Sequence, residues 1–136
     1  MTNQTTNSKT NIMNSNTVLQ QISAPTGRVL LAAMFLMAGL TKITGYAGTQ
    51  GYMEAMGVPG MLLPLVIALE VIGGLAIMLG FKTRLVAFAL AGFSIVSALL
   101  FHADFSDQMQ MTMFMKNISI AGGFLILVAQ GPGAYA

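Results

Sequence analysis

The chain has 136 residues, of which 55% are hydrophobic and only 7% are Lys, Arg, Asp or Glu. A typical soluble domain carries roughly 25% charged residues, so this composition excludes an ordinary soluble globule and indicates a membrane protein. The absence of cysteine excludes disulfides, thiolate metal sites and thiol catalysis. The net charge of +2 is small and scattered, so no nucleic-acid partner is expected.

The first 23 residues are polar. They are rich in Thr, Asn, Gln and Ser, and Lys9 is their single charge. A segment of this composition cannot bury enough apolar surface to offset the entropy lost when it becomes ordered. We therefore expect a flexible polar tail over residues 1–23, followed by a membrane domain over residues 24–136.

Four long apolar segments follow the tail. They run approximately over Thr26–Gly45, Met61–Gly80, Leu85–Ala103 and Met111–Gln130. Each is close to the roughly 20 residues that cross a hydrocarbon core of about 30 Å. The stretch Leu85–Leu100 is apolar or small on every side, whereas the helices of a soluble bundle carry a polar stripe. The sequence predicts an all-α, integral membrane four-helix bundle whose surroundings are the lipid bilayer.

The segment Tyr46–Gly57, between the first two apolar stretches, is too short and too polar to span a bilayer. Its tyrosines are typical of the headgroup region. We predict a short interfacial helix or loop at this place.

The loops carry unequal charge. The tail, Arg28 and the loop Phe81–Arg84 share one side and hold four cations and no carboxylate. The opposite side carries Glu54, Asp104 and Asp107. Because cations are enriched in cytoplasmic loops, we expect both termini to lie in the cytoplasm.

Glu70 is the first candidate functional residue. It lies about 13 Å from the end of the second apolar helix, near the bilayer midplane. A carboxylate costs at least about 2.5 kcal/mol at this depth, so it should face the bundle interior and have a partner. We predict that Glu70 relays protons; the alternative is a buried carboxyl that only fixes helix packing. Gly73 and Gly74 would let another helix approach closely.

Four other polar residues are expected at a similar depth: Lys42, His102, Lys116 and Asn117. We hypothesise that they form one ligand-binding pocket with Glu70, open to the outer face. The alternative is that the lysines extend to the interface and that His102 only ends a helix. Ammonium and imidazole donors beside a carboxyl would suit a quinone, whose carbonyls accept hydrogen bonds and whose reduction takes up protons.

Other motifs do not indicate a metal or a covalently attached cofactor. Met109, Met111, Met113 and Met115 stand at every second position, as in copper-binding segments, and thioethers do bind Cu(I). On a helix, however, alternate residues point in different directions and cannot converge on one ion. A single histidine without cysteines also excludes a haem ligand pair. We expect no metal site, and a quinone is the only cofactor that the pattern suggests.

The chain from Arg28 to Tyr135 resembles the DoxX family of small bacterial inner-membrane proteins, most closely its YqjF-like branch. The resemblance is carried by the segments Lys42–Gly60, Leu69–Arg84, Phe101–Phe105 and Phe114–Ala136. It implies a multi-pass protein of the bacterial inner membrane with four membrane helices. It also implies a link to quinone-dependent oxidation of sulfur compounds, to oxidative-stress membrane complexes or to the handling of quinones or catechols.

The residues and the resemblance together favour a quinone-interacting redox or detoxification protein, acting alone or as the membrane subunit of an oxidoreductase. In this hypothesis Lys42, His102 and Lys116 hold the quinone oxygens. Two alternatives stay open. One is a small proton-coupled carrier that works as a homo-oligomer, because four helices are few to enclose a path. The other is a non-catalytic assembly subunit whose buried charges serve only packing.

Overall fold

The computed structural model describes residues 2–133, with side chains from residue 17 onward. Within residues 2–133, five α-helices and one short 3₁₀ helix follow one another. In chain order they are α1 (Thr2–Thr44), α2 (Tyr46–Ala55), the 3₁₀ turn (Gly60–Leu62), α3 (Leu63–Leu79), α4 (Thr83–Phe101) and α5 (Gln108–Gln130). In the described part of the chain, four stretches are long and apolar enough to cross a membrane: Thr17–Thr44, Gly60–Leu79, Thr83–Phe101 and Gln108–Gln130. The predicted all-α fold with four membrane-length helices is confirmed.

Helix α1 begins much earlier than the predicted start at Thr26. Thr26 lies inside the helix, and its hydroxyl donates a hydrogen bond to the Ile22 carbonyl (2.7 Å) instead of capping the first turn. Pro25 also lies within the helix and removes one backbone donor without ending it. Residues 17–23 are exposed. The flexibility of the tail and the division of the chain at residue 23 stay predictions.

The membrane helices pack as two antiparallel pairs, α1 with α3 and α4 with α5, and α3 joins the pairs by packing against α4. The shared core contains aromatic, aliphatic and small residues from all four membrane helices. Its central members are Phe35, Ile77, Leu90 and Phe124. The ring of Phe35 contacts the ring of Phe124 edge to face, with centroids 5.3 Å apart. The outer faces of the helices are apolar and exposed, which suits helices that are surrounded by lipid chains.

Two glycines bring the backbones of α1 and α3 close together. A Cβ atom on Gly74 would lie 3.2 Å from the Leu36 backbone nitrogen and 3.3 Å from the Ala32 carbonyl oxygen. A Cβ atom on Gly39 would lie 3.2 Å from the Cβ of Glu70. Small residues at such crossings allow the close packing that associates helices in lipid. The predicted close approach at Gly74 is therefore present, and its partner is α1.

Arg28 is buried against the end of α3, although the sequence placed it at the edge of the first apolar segment. One guanidinium nitrogen donates hydrogen bonds to the carbonyls of Ile77 and Met78, each 3.1 Å away. These carbonyls belong to the last turn of α3, where the helix runs out of backbone donors; the Ile77 carbonyl also accepts the Gly80 N–H (3.2 Å). A cation at a helix C-terminus is also favoured by the helix dipole. Arg28 therefore fastens α1 to α3 at the end of the bundle opposite α2.

The segment between α1 and α3 is a helix, α2, followed by a turn at Gly57 with a positive φ of 81°. Met53 is buried, while the neighbouring Tyr52 is half exposed. The carboxyl of Glu54 lies over Gly60, where a Cβ atom would be 2.5 Å from Oε1. The predicted short helix is confirmed, and it covers the end of the bundle at which α1 ends and α3 begins.

Replacing Gly74 with Val should destabilise the α1–α3 pair. The new side chain meets backbone atoms of α1, which cannot move aside as a flexible side chain would. We expect the free energy of unfolding in detergent micelles to fall by about 1–3 kcal/mol. Gly92→Val is the matched control, because a Cβ atom at Gly92 meets nothing within 4 Å. Equal losses in the two variants would show that the crossing does not depend on Gly74.

Candidate functional site

A salt bridge joins α1 to α3 near the middle of α3. The Lys42 Nζ atom lies 2.9 Å from Glu70 Oε1 and donates a hydrogen bond to Oε2 at 3.2 Å. The Glu70 side chain is 2% exposed, whereas that of Lys42 is 29% exposed. The close approach of the helices at Gly39, one turn before Lys42, positions the two groups. The expected partner of the buried carboxyl is therefore Lys42.

A cavity of about 300 Å³ lies beside this salt bridge. All five polar residues singled out from the sequence contribute to its lining: Lys42, Glu70, His102, Lys116 and Asn117. They come from α1, α3, the end of α4 and α5, so the structure brings together residues that the sequence could align only by depth. Their roles in binding or catalysis stay predictions.

His102 and Lys116 lie on the side of the cavity formed by the end of α4 and the first turns of α5. His102 follows the last residue of α4, and its backbone N–H bonds to the Ala98 carbonyl. Burial lowers the pKa of the His102 imidazole, and the nearby Lys116 ammonium lowers that pKa further. The ring is therefore neutral at pH 7 and can both donate and accept a hydrogen bond.

The rest of the lining, which includes four aromatic rings, was not singled out from the sequence as part of a site. The rings of Phe35 and Phe93 contact each other with centroids 6.5 Å apart. Tyr52 of α2 stacks on Phe101 of α4 at 5.6 Å. Ser97 also lines the cavity. A sequence signal existed for α4, because Ser97 and Phe101 are four residues apart and therefore share a helix face.

A larger cavity, of about 910 Å³, lies at the other end of the bundle between α1 and α5. Arg28, Gln20 and Gln130 contribute its polar lining. The Arg28 guanidinium is bonded to carbonyls of α3. Within residues 17–133, no carboxyl or imidazole group lines this cavity. The smaller cavity, which combines a carboxyl, an imidazole and two ammonium groups, is therefore the better candidate for proton-linked chemistry.

The methionine-rich segment lies on the first two turns of α5, which begins at Gln108. The Asp107 carboxylate accepts a hydrogen bond from the Met109 backbone N–H (3.0 Å) and so caps the helix. Methionines at alternate positions of a helix point to different sides. Among the described residues, no cluster of His, Asp and Glu could hold a metal ion either.

Removing either partner of the salt bridge should destabilise the protein, but unequally. Lys42→Met leaves a buried carboxyl without its cation, and we expect a loss of up to about 3 kcal/mol in the free energy of unfolding. Glu70→Gln keeps an oxygen acceptor, and the partly exposed Lys42 can reach water, so we expect a loss of about 1 kcal/mol. Unfolding in mixed micelles measures both, with the exposed Lys82→Met as control. A larger loss for Glu70→Gln would contradict the asymmetry.

Comparison with known proteins places the chain in a family. The model of the DoxX family matches residues 24–103, which include Lys42, Glu70 and His102. Inner membrane protein YqjF of Escherichia coli K12 is 55% identical over 87% of this chain and 91% of its own length. Inner membrane protein YphA of the same organism is 36% identical over 79% of this chain and 81% of its own.

A third relative, from Bacillus subtilis 168, is named "Putative oxidoreductase CatD"; it is 34% identical over 43% of this chain and 44% of its own. No solved structure matches the chain. The inner-membrane relatives and the four membrane-length helices support a multi-pass protein of the inner membrane. On the family match and the similarity to YqjF, the chain belongs to the DoxX family.

Proposed function

We propose that the protein binds the ring of a quinone in the 300 Å³ cavity and acts in quinone redox chemistry or detoxification, alone or with an oxidoreductase subunit. The observation that carries this proposal is the lining itself. A buried carboxyl, two ammonium groups and an imidazole share one cavity with aromatic walls. Few chemical classes need both a flat apolar surface and several hydrogen-bond donors inside a membrane.

Each group has a role that its position supports. The quinone carbonyls accept hydrogen bonds from the ammonium groups of Lys42 and Lys116 and from His102. Asn117 offers an amide donor from α5. When the quinone is reduced, the Glu70 carboxylate takes up a proton from water and passes it to the ring oxygen, and the electrons come from a partner oxidoreductase. The name of the Bacillus subtilis relative supports an oxidoreductase setting.

Two other functions make different use of the same features. The close Lys42–Glu70 pair would also suit a non-catalytic assembly subunit. The cavity beside Glu70 favours a ligand, however, since a purely structural pair needs no adjoining space lined by further donors. A proton-coupled carrier would use the same cavity within a homo-oligomer. Substrate-dependent proton flux into liposomes would distinguish the carrier from the redox protein.

We also propose that both termini lie in the cytoplasm. Arg28, Lys82 and Arg84 lie at the end of the bundle where α3 ends and α4 begins. Glu54, Asp104 and Asp107 lie at the opposite end, and such a cation bias is typical of cytoplasmic loops. The cavity then opens toward the outer side of the membrane.

Quinone binding is tested by purifying the protein in mild detergent and extracting bound quinone for mass spectrometry. Wild-type protein should retain quinone, and Glu70→Gln and Lys116→Ala should lose most of it because each removes a polar group of the lining. Lys82→Met, which removes a cation outside the cavity, should retain quinone. Absence of quinone from every preparation would refute the proposal.

The orientation is tested by labelling with a membrane-impermeant maleimide, for which the cysteine-free chain gives a clean background. Ser106→Cys lies in the exposed α4–α5 loop and should react in spheroplasts. Lys82→Cys lies in the exposed α3–α4 turn and should react only after the membrane is opened. The reverse pattern would place the termini outside.

A further inference from the structure

The charges of the cavity do not cancel. Lys42 and Glu70 neutralise each other through their salt bridge. His102 adds no charge at pH 7, since burial and Lys116 lower its pKa. The ammonium group of Lys116 is then left without a counter-charge in the lining. With two ammonium groups and one carboxylate, the cavity carries one net positive charge.

The remaining carboxylates of residues 17–133 do not supply the missing negative charge. Glu54 packs over Gly60, outside the lining. Asp104 accepts hydrogen bonds from Ser106 in the α4–α5 loop. Asp107 caps α5. Among the described residues, the Lys42–Glu70 pair is the ion pair that forms, and Lys116 lies within 4.0 Å of no carboxylate.

The walls and the size of the cavity restrict the rest of the ligand. Phe35, Phe93, Phe101 and Tyr52 present aromatic rings, which favour contact with another flat ring. A volume of about 300 Å³ is at the lower end of the range for small-molecule sites, so it suits one ring better than a fused system. Lys116 lines the cavity but is itself exposed, so the preference for an anion comes from its ammonium together with the apolar rings beside it, where a charge is attracted more strongly than in open water.

We infer that the cavity binds its ligand as a single-ring aromatic anion, a phenolate, with Lys116 as the counter-ion of the ionised oxygen. This inference rests on the proposed quinone site, since a quinol is a phenol and its ionised form is the anion that this site would hold. It adds a selectivity that a hydrogen-bonding pocket alone does not have. The reduced, ionised ring binds more tightly than a neutral ring of the same shape.

The test compares 4-nitrophenol, which ionises, with its methyl ether 4-nitroanisole, which cannot. Binding is measured by equilibrium dialysis against the protein in nanodiscs of zwitterionic phosphatidylcholine, with empty nanodiscs as background. Wild type should bind the phenol at least about tenfold more tightly than the ether. The bound phenol should show the absorption band of its anion at a pH at which most free phenol is still protonated.

Three variants assign the preference to one residue. Lys116→Met should bring the phenol-to-ether ratio close to one and remove the anion band. Lys116→Arg keeps the charge and should keep the preference. Lys82→Met, at the opposite end of the bundle, should match wild type.

The result also separates this inference from the proposed function. A short-chain quinone is dialysed in the same way. If the quinone binds while wild type binds the phenol and the ether with equal affinity, the anion site is refuted and the quinone site stands. A preference for the phenol that survives in Lys116→Met refutes Lys116 as the counter-ion. If neither probe nor the quinone binds, both proposals fail.

Discussion

The salt bridge between Lys42 and Glu70 is the interaction on which the rest of the structure depends. A carboxylate near the middle of a membrane helix must have a partner, and that partner comes from a different helix. The pair forms because glycines let the backbones of α1 and α3 approach, at Gly39 and again at Gly74. The need of the Glu70 carboxylate for a cation and the close packing at the two glycines thus fix the register of α1 against α3. That register positions the part of the cavity lining that these two helices supply.

The two ends of the bundle use their cations differently. At one end, the Arg28 guanidinium is buried and bonded to backbone carbonyls of α3, so it serves the fold. At the other end, Lys42 remains partly exposed and Lys116 has no carboxylate within ion-pair distance among residues 17–133. These lysines border an open volume rather than a packed interface. The polar groups that line a cavity beside a buried carboxyl therefore lie at the end covered by α2.

The sequence predicted the membrane helices and the depth of the polar residues, because both depend on composition and on the rise per residue of a helix. It placed Glu70, Lys42 and Lys116 at a similar depth, but could not say which lysine pairs with Glu70, since depth does not determine which helices are neighbours. The burial of Arg28 depended on a contact with residues almost fifty positions away. The aromatic lining could not be predicted from the sequence for another reason. In a chain this apolar, the sequence alone does not distinguish Phe35 and Phe93 from residues that face lipid.

The hydrogen bonds of Arg28 also require that the helices be made and brought together in a certain order. The carbonyls that Arg28 contacts lie 49 and 50 residues later in the chain. During synthesis from the N-terminus, α1 is made before those carbonyls exist in the chain, so the two hydrogen bonds of Arg28 can form only after the last turn of α3 has been made and inserted. The first membrane helix therefore acquires this anchor late, and it does so only together with α3.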